Sequence, residues 1–321
     1  MVRPGFIAVA VLILTLLPGC GHREQASEAP DSSAVKVVAS IFPLADLLRQ
    51  LGGDRVEVMI LLPAGLSPHT YEPTVEQAVG VSRASLVVHV GGGLDDWAVT
   101  VARAQGVETV AVMDHLADWV LEYRPVQLGN SHGACGHDHR GRDHEGHDHG
   151  DRDPHVWMDP VLVREAVAPL LAGLLADLDP ERREEYQESL SVLQESLRDL
   201  DLEMRAKVET FSRRRFISYH SAWQYLSQRY RLEEVASVET FPGREPSAGW
   251  LGELVNLARE KGIDIIFAEP QLSQKAATVI AGEIGGRVLL LDPLGGEDLA
   301  GRDTYQNLIR YNFKVLKEAL K

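Results

Sequence analysis

From Val35 onward the chain alternates short runs of valine, leucine and isoleucine with helix-like stretches, and this rhythm limits the folds open to it. Strands are predicted at 35–41 (VKVVASI), 56–61 (VEVMIL), 85–90 (SLVVHV) and 107–112 (VETVAV). Between them, 43–51, 73–83 and 94–104 have helical character, the first closed by Gly52-Gly53 and the last by Gly106. The pattern returns with strands at 216–220 (FISYH), 234–238, 263–268 (IDIIFA) and 287–292 (RVLLLD), and helices near 222–230, 247–261, 273–284 and 303–320. Ser247 and Ser273 stand where N-caps belong, and Gly262 and Gly285 where C-cap glycines belong. Parallel strands need crossovers, and a helix is the usual one, so apolar strands spaced by helices predict a sheet covered on both faces. The expected fold class is α/β, with two lobes, each a four-stranded, mainly parallel sheet flanked by helices.

The segment between the two series differs. Residues 161–178 read as one helix, Asp179-Pro180 as a cap with a first-turn proline, and 181–209 as a long second helix. Its apolar residues Tyr186, Leu190, Leu193, Leu197, Leu200, Met204 and Val208 step by four and three, which places them on one face. A coiled-coil dimer seam is one use for such a face. A rigid strut joining two lobes is the better one, because both flanking segments need a surface to pack on, and a monomer is expected. The expected division is an N-terminal lobe at 35–178 including a histidine-rich loop at 129–153, a linking backbone helix at 179–212, and a C-terminal lobe at 213–321.

The 321 residues are 45% hydrophobic, enough for a substantial core, while a net charge of −15 argues against nucleic acid as a partner. The N-terminus reads as an address rather than as part of the fold. Arg3 precedes an apolar stretch from Phe6 to Leu17 that is too short to span a bilayer comfortably, and Leu17-Pro18-Gly19-Cys20 ends it. The pattern resembles a bacterial lipoprotein signal, which implies cleavage before Cys20, lipid on its thiol, and an extracytoplasmic protein anchored to a cell membrane. Residues 21–34, rich in Ser, Ala, Glu and Gln, read as a tether. Cys135 is the second of two cysteines, so lipidation of Cys20 leaves no intramolecular disulfide.

Metal chemistry is the strongest functional signal. Six of the eighteen residues in 132–149 are histidine: His132, His137, His139, His144, His147 and His149. Imidazole is the commonest transition-metal ligand, and a tract of this composition cannot build a core, so an accessory zinc-capture role is expected for it. In open α/β sheets ligands bind beyond the carboxyl ends of the strands. His69 follows strand 56–61, His155 lies in the last connection of the first lobe, His220 ends strand 216–220, and Asp292 ends strand 287–292. Three imidazoles and a carboxylate suit tetrahedral Zn²⁺, whereas oxygen-rich sites favour Mn²⁺ or Mg²⁺. Glu269, which also ends a strand, is the alternative carboxylate, and water is another candidate for the fourth position. Asp159, Glu72 and backbone carbonyls are candidates to accept the remaining imidazole N–H groups. His89 and His115 read as structural.

Other functions fit less well. A zinc hydrolase needs an open coordination position and a base; there is no His-Glu-x-x-His and no Gly-x-Ser-x-Gly. A storage or buffering protein needs many equal sites rather than one convergent set. Gly91-Gly92-Gly93 lacks the Lys-Ser/Thr of a phosphate-binding loop and reads as a tight turn, so any ATPase belongs to another chain.

The motifs around these residues resemble the cluster A-I solute-binding lipoproteins of ABC transporters, in particular the zinc-binding subgroup. Ser67-Pro68-His69-Thr70-Tyr71-Glu72-Pro73 is similar to the first ligand motif of that family, Asp153-Pro154-His155-Val156-Trp157-Met158-Asp159-Pro160 to the second, and His220-Ser221-Ala222-Trp223 to the third. Manganese-binding relatives tend to carry glutamate at the position of His220, and a manganese or iron protein of the same family is the alternative. Leu291-Asp292-Pro293-Leu294, Gly243-Arg244-Glu245-Pro246-Ser247 and Phe267-Ala268-Glu269-Pro270-Gln271 are also family-like, and the resemblance covers residues 35–321. It implies two α/β lobes joined by a backbone helix, a metal held between them by His69, His155, His220 and Asp292, and delivery to a membrane permease served by a separate ATPase. Pro68 departs from members that carry an acidic residue before the first histidine; that possible ligand is absent here, leaving Asp292 or water.

Overall fold

Each predicted apolar run contains a strand within a residue or two of its predicted ends. The structure, a computed structural model, describes residues 34–116, 118–123, 152–239 and 243–321. Cys20, the tether to residue 33, Cys135 and the six histidines of 132–149 lie outside the described residues. In chain order the first half contains β1 (Val35–Ala39), α1 (Phe42–Gly52), β2 (Val56–Ile60), α2 (Val75–Val81), β3 (Leu86–His89), α3 (Asp96–Gln105) and β4 (Thr109–Ala111). Next come α4 (Pro160–Leu162), α5 (Ala168–Leu178) and the long α6 (Arg183–Val208). The second series is β5 (Arg215–Ser218), α7 (Gln224–Tyr230), β6 (Glu233–Ser237), α8 (Ala248–Lys261), β7 (Ile265–Ala268), α9 (Lys275–Ile284), β8 (Arg287–Leu290) and α10 (Tyr305–Leu320).

The strands assemble into two four-stranded sheets ordered β2-β1-β3-β4 and β6-β5-β7-β8, with every pairing parallel. The same order thus occurs twice, and in each sheet the crossover direction reverses beside the first strand. Most strands lose their last predicted residues. Tyr219-His220 and Leu291-Asp292 leave the ladder at its carboxyl end, where the chain turns toward the next helix.

Helix boundaries follow local chemistry. Ser247 caps α8 by accepting from the Trp250 N–H, and Gly262 and Gly285 end their helices in the left-handed conformation. Ser273 does not cap α9, which starts at Lys275 with Gln274 at the cap position and no side-chain hydrogen bond there. The predicted helix 161–178 begins one residue earlier, at Pro160, where the Asp159 carboxylate accepts from the Val161 N–H at 2.9 Å. It passes through a π-helical segment, Val163–Val167, before continuing as α5.

The seven apolar residues read onto one face of α6 are all buried. At about 1.5 Å per residue the helix is about 39 Å long, and it packs against α1, α5 and α10. One hydrophobic core runs from the first sheet through α1, α5 and α6 to one face of the second sheet, where Phe216, Phe267 and Phe313 join it. The other face of the second sheet packs Ile217 and Ile266 against Leu254 of α8 and Ile280 of α9. Polar contacts tie α10 to the first half: the Tyr305 N–H donates to Asp46 at 2.7 Å, and Arg310 pairs with Glu203 of α6 at 2.9 Å. The described residues accordingly form one compact body.

Because α6 supports both sheets, truncating its buried face should be costly. Leu200→Ala is expected to lower unfolding free energy by about 2–5 kcal/mol, while Val192→Ala, 71% exposed on the opposite face, should change it by less than about 0.5 kcal/mol. Denaturant unfolding of both variants measures the contrast.

Candidate metal centre

His69, His155 and His220 come from three separate connections and converge. One ligand nitrogen from each lies within 4.8 Å of the others, and ring centroids are 5.8 Å apart for His69–His155, 5.4 Å for His69–His220 and 5.2 Å for His155–His220. All three are largely buried.

Each ligand segment is fixed by its own network. Past β2 the chain runs through Ser67-Pro68-His69, and the Trp97 indole N–H of α3 donates to the Pro68 carbonyl at 2.8 Å. Tyr71 stacks edge-on against the same indole at 5.0 Å and donates its hydroxyl to Gln77, which also completes a capping box with Thr74 at the start of α2. His155 is preceded by Asp153, fully buried, whose Oδ1 accepts from the His155 backbone N–H at 2.9 Å and from its Nδ1–H at 2.7 Å. The segment 153–160 lies in the first series by sequence but is held by the second. The Tyr225 hydroxyl donates to the Asp153 carbonyl, Arg229 pairs with Asp159 at 2.7 Å, Trp157 Nε1 donates to the Pro293 carbonyl, and the Tyr305 hydroxyl donates to the Trp157 carbonyl. His220 leaves β5 with its carbonyl accepting from the Ser218 hydroxyl at 2.9 Å, and its Nδ1–H donates to Glu269 Oε1 at 2.7 Å. Glu269 follows β7, the strand paired with β5.

With Nδ1 of His155 and of His220 donating to carboxylates, the neutral tautomer of each places a lone pair on Nε2. Those two Nε2 atoms face each other at 3.3 Å. Facing lone pairs repel, and a cation or a proton between them removes the repulsion. The electrostatics agree. Burial alone would lower the His220 pKa, but the charge and hydrogen bond of Glu269, with Glu239 and Glu234 beyond, raise it on balance. Burial pushes the Glu234 carboxyl up to about 8 and that of Glu239 up to about 7, in each case against the attraction of His220.

Asp292 is not among the converging groups: its Oδ1 accepts from Gln271 and from the backbone N–H of Leu294 and Gly295, and its Oδ2 pairs with Arg302 at 2.7 Å. Those bonds hold the carboxylate, although the adjacent Pro293 and Leu294 line the same cavity as the three histidines. Asp159 and Glu72 do not support the imidazoles; Asp159 is taken by Val161 and Arg229, and Glu72 is exposed. Asp153 and Glu269 have that role. For Asp153 the readable signal was an Asp two residues before a ligand histidine across a proline. Of the residues read as structural, buried His89 meets Asp95 at 3.3 Å, and Asp95 also accepts from the Val90 and Gly91 N–H groups, holding the Gly91-Gly92-Gly93 turn.

Removing the Asp153 charge tests the orientation argument. Asp153→Asn is expected to weaken metal binding about 10- to 100-fold with the fold retained, measured by competition with a chelator. Linkage supplies a second test. A carboxyl whose folded pKa is raised holds a proton that the unfolded chain has lost, so stability falls as pH rises from about 4.5, the ordinary glutamate value, through about 8 for Glu234. The raised His220 pKa acts in the same sense. The metal-free protein should therefore melt at progressively lower temperature between about pH 5 and about pH 8, and Glu234→Gln should flatten that slope.

Residues 37–319 match the family model described as "Zinc-uptake complex component A periplasmic". The chain is 30% identical over 321 residues to the high-affinity zinc uptake system protein ZnuA of Bacillus subtilis (strain 168), covering 98% of this chain and 97% of that one. It is 27% identical to the zinc-binding lipoprotein AdcA of Streptococcus pneumoniae, covering 97% of this chain but 60% of that longer relative. A solved structure of a zinc-bound ZnuA deletion mutant aligns with a TM-score of 0.72 at 28% identity, covering 90% of this chain and 98% of that one. The three-histidine centre thus sits in a chain that belongs to the zinc-uptake component A family of periplasmic solute-binding proteins.

Proposed function

We propose that this protein captures Zn²⁺ outside the cytoplasm, between its two sheets, and delivers it to the permease of an ABC importer. The observation that carries the reading is the convergence of His69, His155 and His220, with two of the three imidazoles oriented by buried carboxylates. Three imidazole nitrogens favour zinc over the harder, oxygen-seeking Mn²⁺ and Mg²⁺. The cavity bounded by these histidines, Trp157 and Glu269 has room for about one water-sized body, which suits an ion and excludes an ester or a peptide.

The sequence supports the remaining parts of the proposal. Residues 1–20 are a lipoprotein signal, lipid on Cys20 anchors the mature chain, and 21–34 tether it. No helix among the described residues is long and apolar enough to cross a membrane. Residues 35–178 and 213–321 are the two lobes and 179–212 the link. The histidines at 132, 137, 139, 144, 147 and 149 capture zinc near the surface and pass it to His155, six residues beyond the tract. A separate ATPase subunit drives transport.

Zinc titration against a chelator of known affinity, on residues 21–321, tests the reading. One tight site is expected, lost in His220→Ala and kept when 131–151 are deleted, with the weaker sites behaving oppositely. Tight binding that follows the tract and ignores His220 would replace the reading with that of a buffering protein.

A further inference from the structure

Three imidazoles leave a tetrahedral ion one ligand short. Asp292 is bound to Arg302, Asp153 takes the N–H of His155, and Glu269 takes that of His220. Two carboxylate oxygens near the histidines are buried without a partner among the described residues, Asp153 Oδ2 and Glu239 Oε2, while Glu234 accepts from Ser218 and Ser221; Glu239 is the one at this edge of the second sheet. In the strand order β6-β5-β7-β8, the residues just past the carboxyl ends form a row: Glu239, His220, Glu269 and Asp292. His220 therefore has a carboxylate on each side. Glu269 is committed to its Nδ1, and Glu239 stands on the other side.

Register and backbone contacts agree with that placement. Ser218 pairs with Ser237, the last pair of the ladder, so His220 and Glu239 each lie two residues beyond it on neighbouring strands. The Glu239 N–H donates to the Tyr219 carbonyl at 2.7 Å, keeping the two chains side by side beyond the ladder. The same device holds both residues: the Ser218 hydroxyl donates to the His220 carbonyl and the Ser237 hydroxyl to the Glu239 carbonyl, each at 2.9 Å. Glu239 is 7% exposed, and its Oε2 is buried without a hydrogen-bond partner among the described residues. A buried carboxylate oxygen without a partner is unfavourable unless something binds it. Its carboxyl accepts from the Gly243 and Arg244 N–H groups, and Gly243 lies against Thr70, the neighbour of His69.

We propose that Glu239 is the fourth zinc ligand, its carboxylate completing the site formed by His69, His155 and His220. The inference rests on the zinc-capture reading above. A side-chain rearrangement is part of it, since the three imidazoles alone lie within 4.8 Å of one another and Glu239 does not line the cavity they bound. A carboxylate in this position lowers the charge of the bound dication and favours a closed, non-catalytic site with no exchangeable water.

The test uses residues 21–321 with the histidine tract intact and a single equivalent of metal, so that the tight site alone fills. Glu239→Gln should lower zinc affinity at least about tenfold, the lower end of what even a partner of a ligand is worth, and should change the visible ligand-field bands of the Co²⁺-loaded protein. Unchanged affinity would overturn the proposal. So would weaker binding with an unchanged cobalt spectrum, which marks an effect through space. Should Glu239→Gln fail to fold, a zinc-loaded crystal structure of the unaltered protein decides: a Glu239 oxygen at about 2.0–2.2 Å from zinc supports the assignment, and water or another side chain there overturns it. His220→Ala separates the two claims, because a tight site that survives it refutes the three-histidine reading itself.

Discussion

Two hydrogen bonds set the character of the site, Asp153 to His155 and Glu269 to His220, both at 2.7 Å. Each fixes a tautomer and a ring orientation, and together they turn two Nε2 lone pairs toward each other at 3.3 Å. Such a contact is unfavourable without a positive charge between the nitrogens, and the surrounding carboxylates make a positive charge welcome there. The buried polar groups near the centre follow from this requirement. Orienting carboxylates must be buried to act at full strength, and buried carboxylates must have partners of their own. Asp153 meets that need through Oδ1, which accepts from the His155 backbone and side chain, while its Oδ2 is buried without a partner among the described residues; Glu269 meets it with His220.

The second constraint is mechanical. The His155 segment belongs to the first series by sequence, yet its contacts at Tyr225, Arg229, Pro293 and Tyr305 lie in the second. The His69 loop is held instead by Trp97, Tyr71 and Gln77 within the first series. The three histidines thus divide into a pair fixed to the second sheet's side and a single one carried by the first. Relative movement of the two sides would open the site between His69 and the other two, without disturbing the Nδ1 hydrogen bonds that prepare His155 and His220.

Much of this was legible in the chain. Strand and helix existence followed from period and capping chemistry, and the strand-end rule found all three histidines because ligand sites lie beyond carboxyl ends whichever neighbours a strand has. The order of strands was not legible. Nor were the long-range partners: Asp292 does end a strand, but Arg302 and Gln271 hold its carboxylate away from the three imidazoles. The supporting partners were missed for the same reason: Glu269 was read as a candidate ligand, although pairing of β7 with β5 makes it the neighbour of His220. Ser273 failed as a cap because α9 begins two residues later, beyond the reach of its hydroxyl.

A centre built for a dication is an electrostatic liability when empty, and the charges around this one are matched accordingly. Asp292 is offset by Arg302 and Asp159 by Arg229, both away from the imidazoles. The carboxyls that remain near His220 without a cationic side-chain partner, Glu234 and Glu239, have pKa values raised by burial to about 8 and about 7. Near neutral pH these groups retain much of their protons in the metal-free protein, which limits the repulsion among buried carboxylates. Zinc replaces that protonic charge with its own, so binding and proton release are coupled. A centre with permanently ionised carboxylates would fold less readily, and one with none would hold zinc by its imidazoles alone.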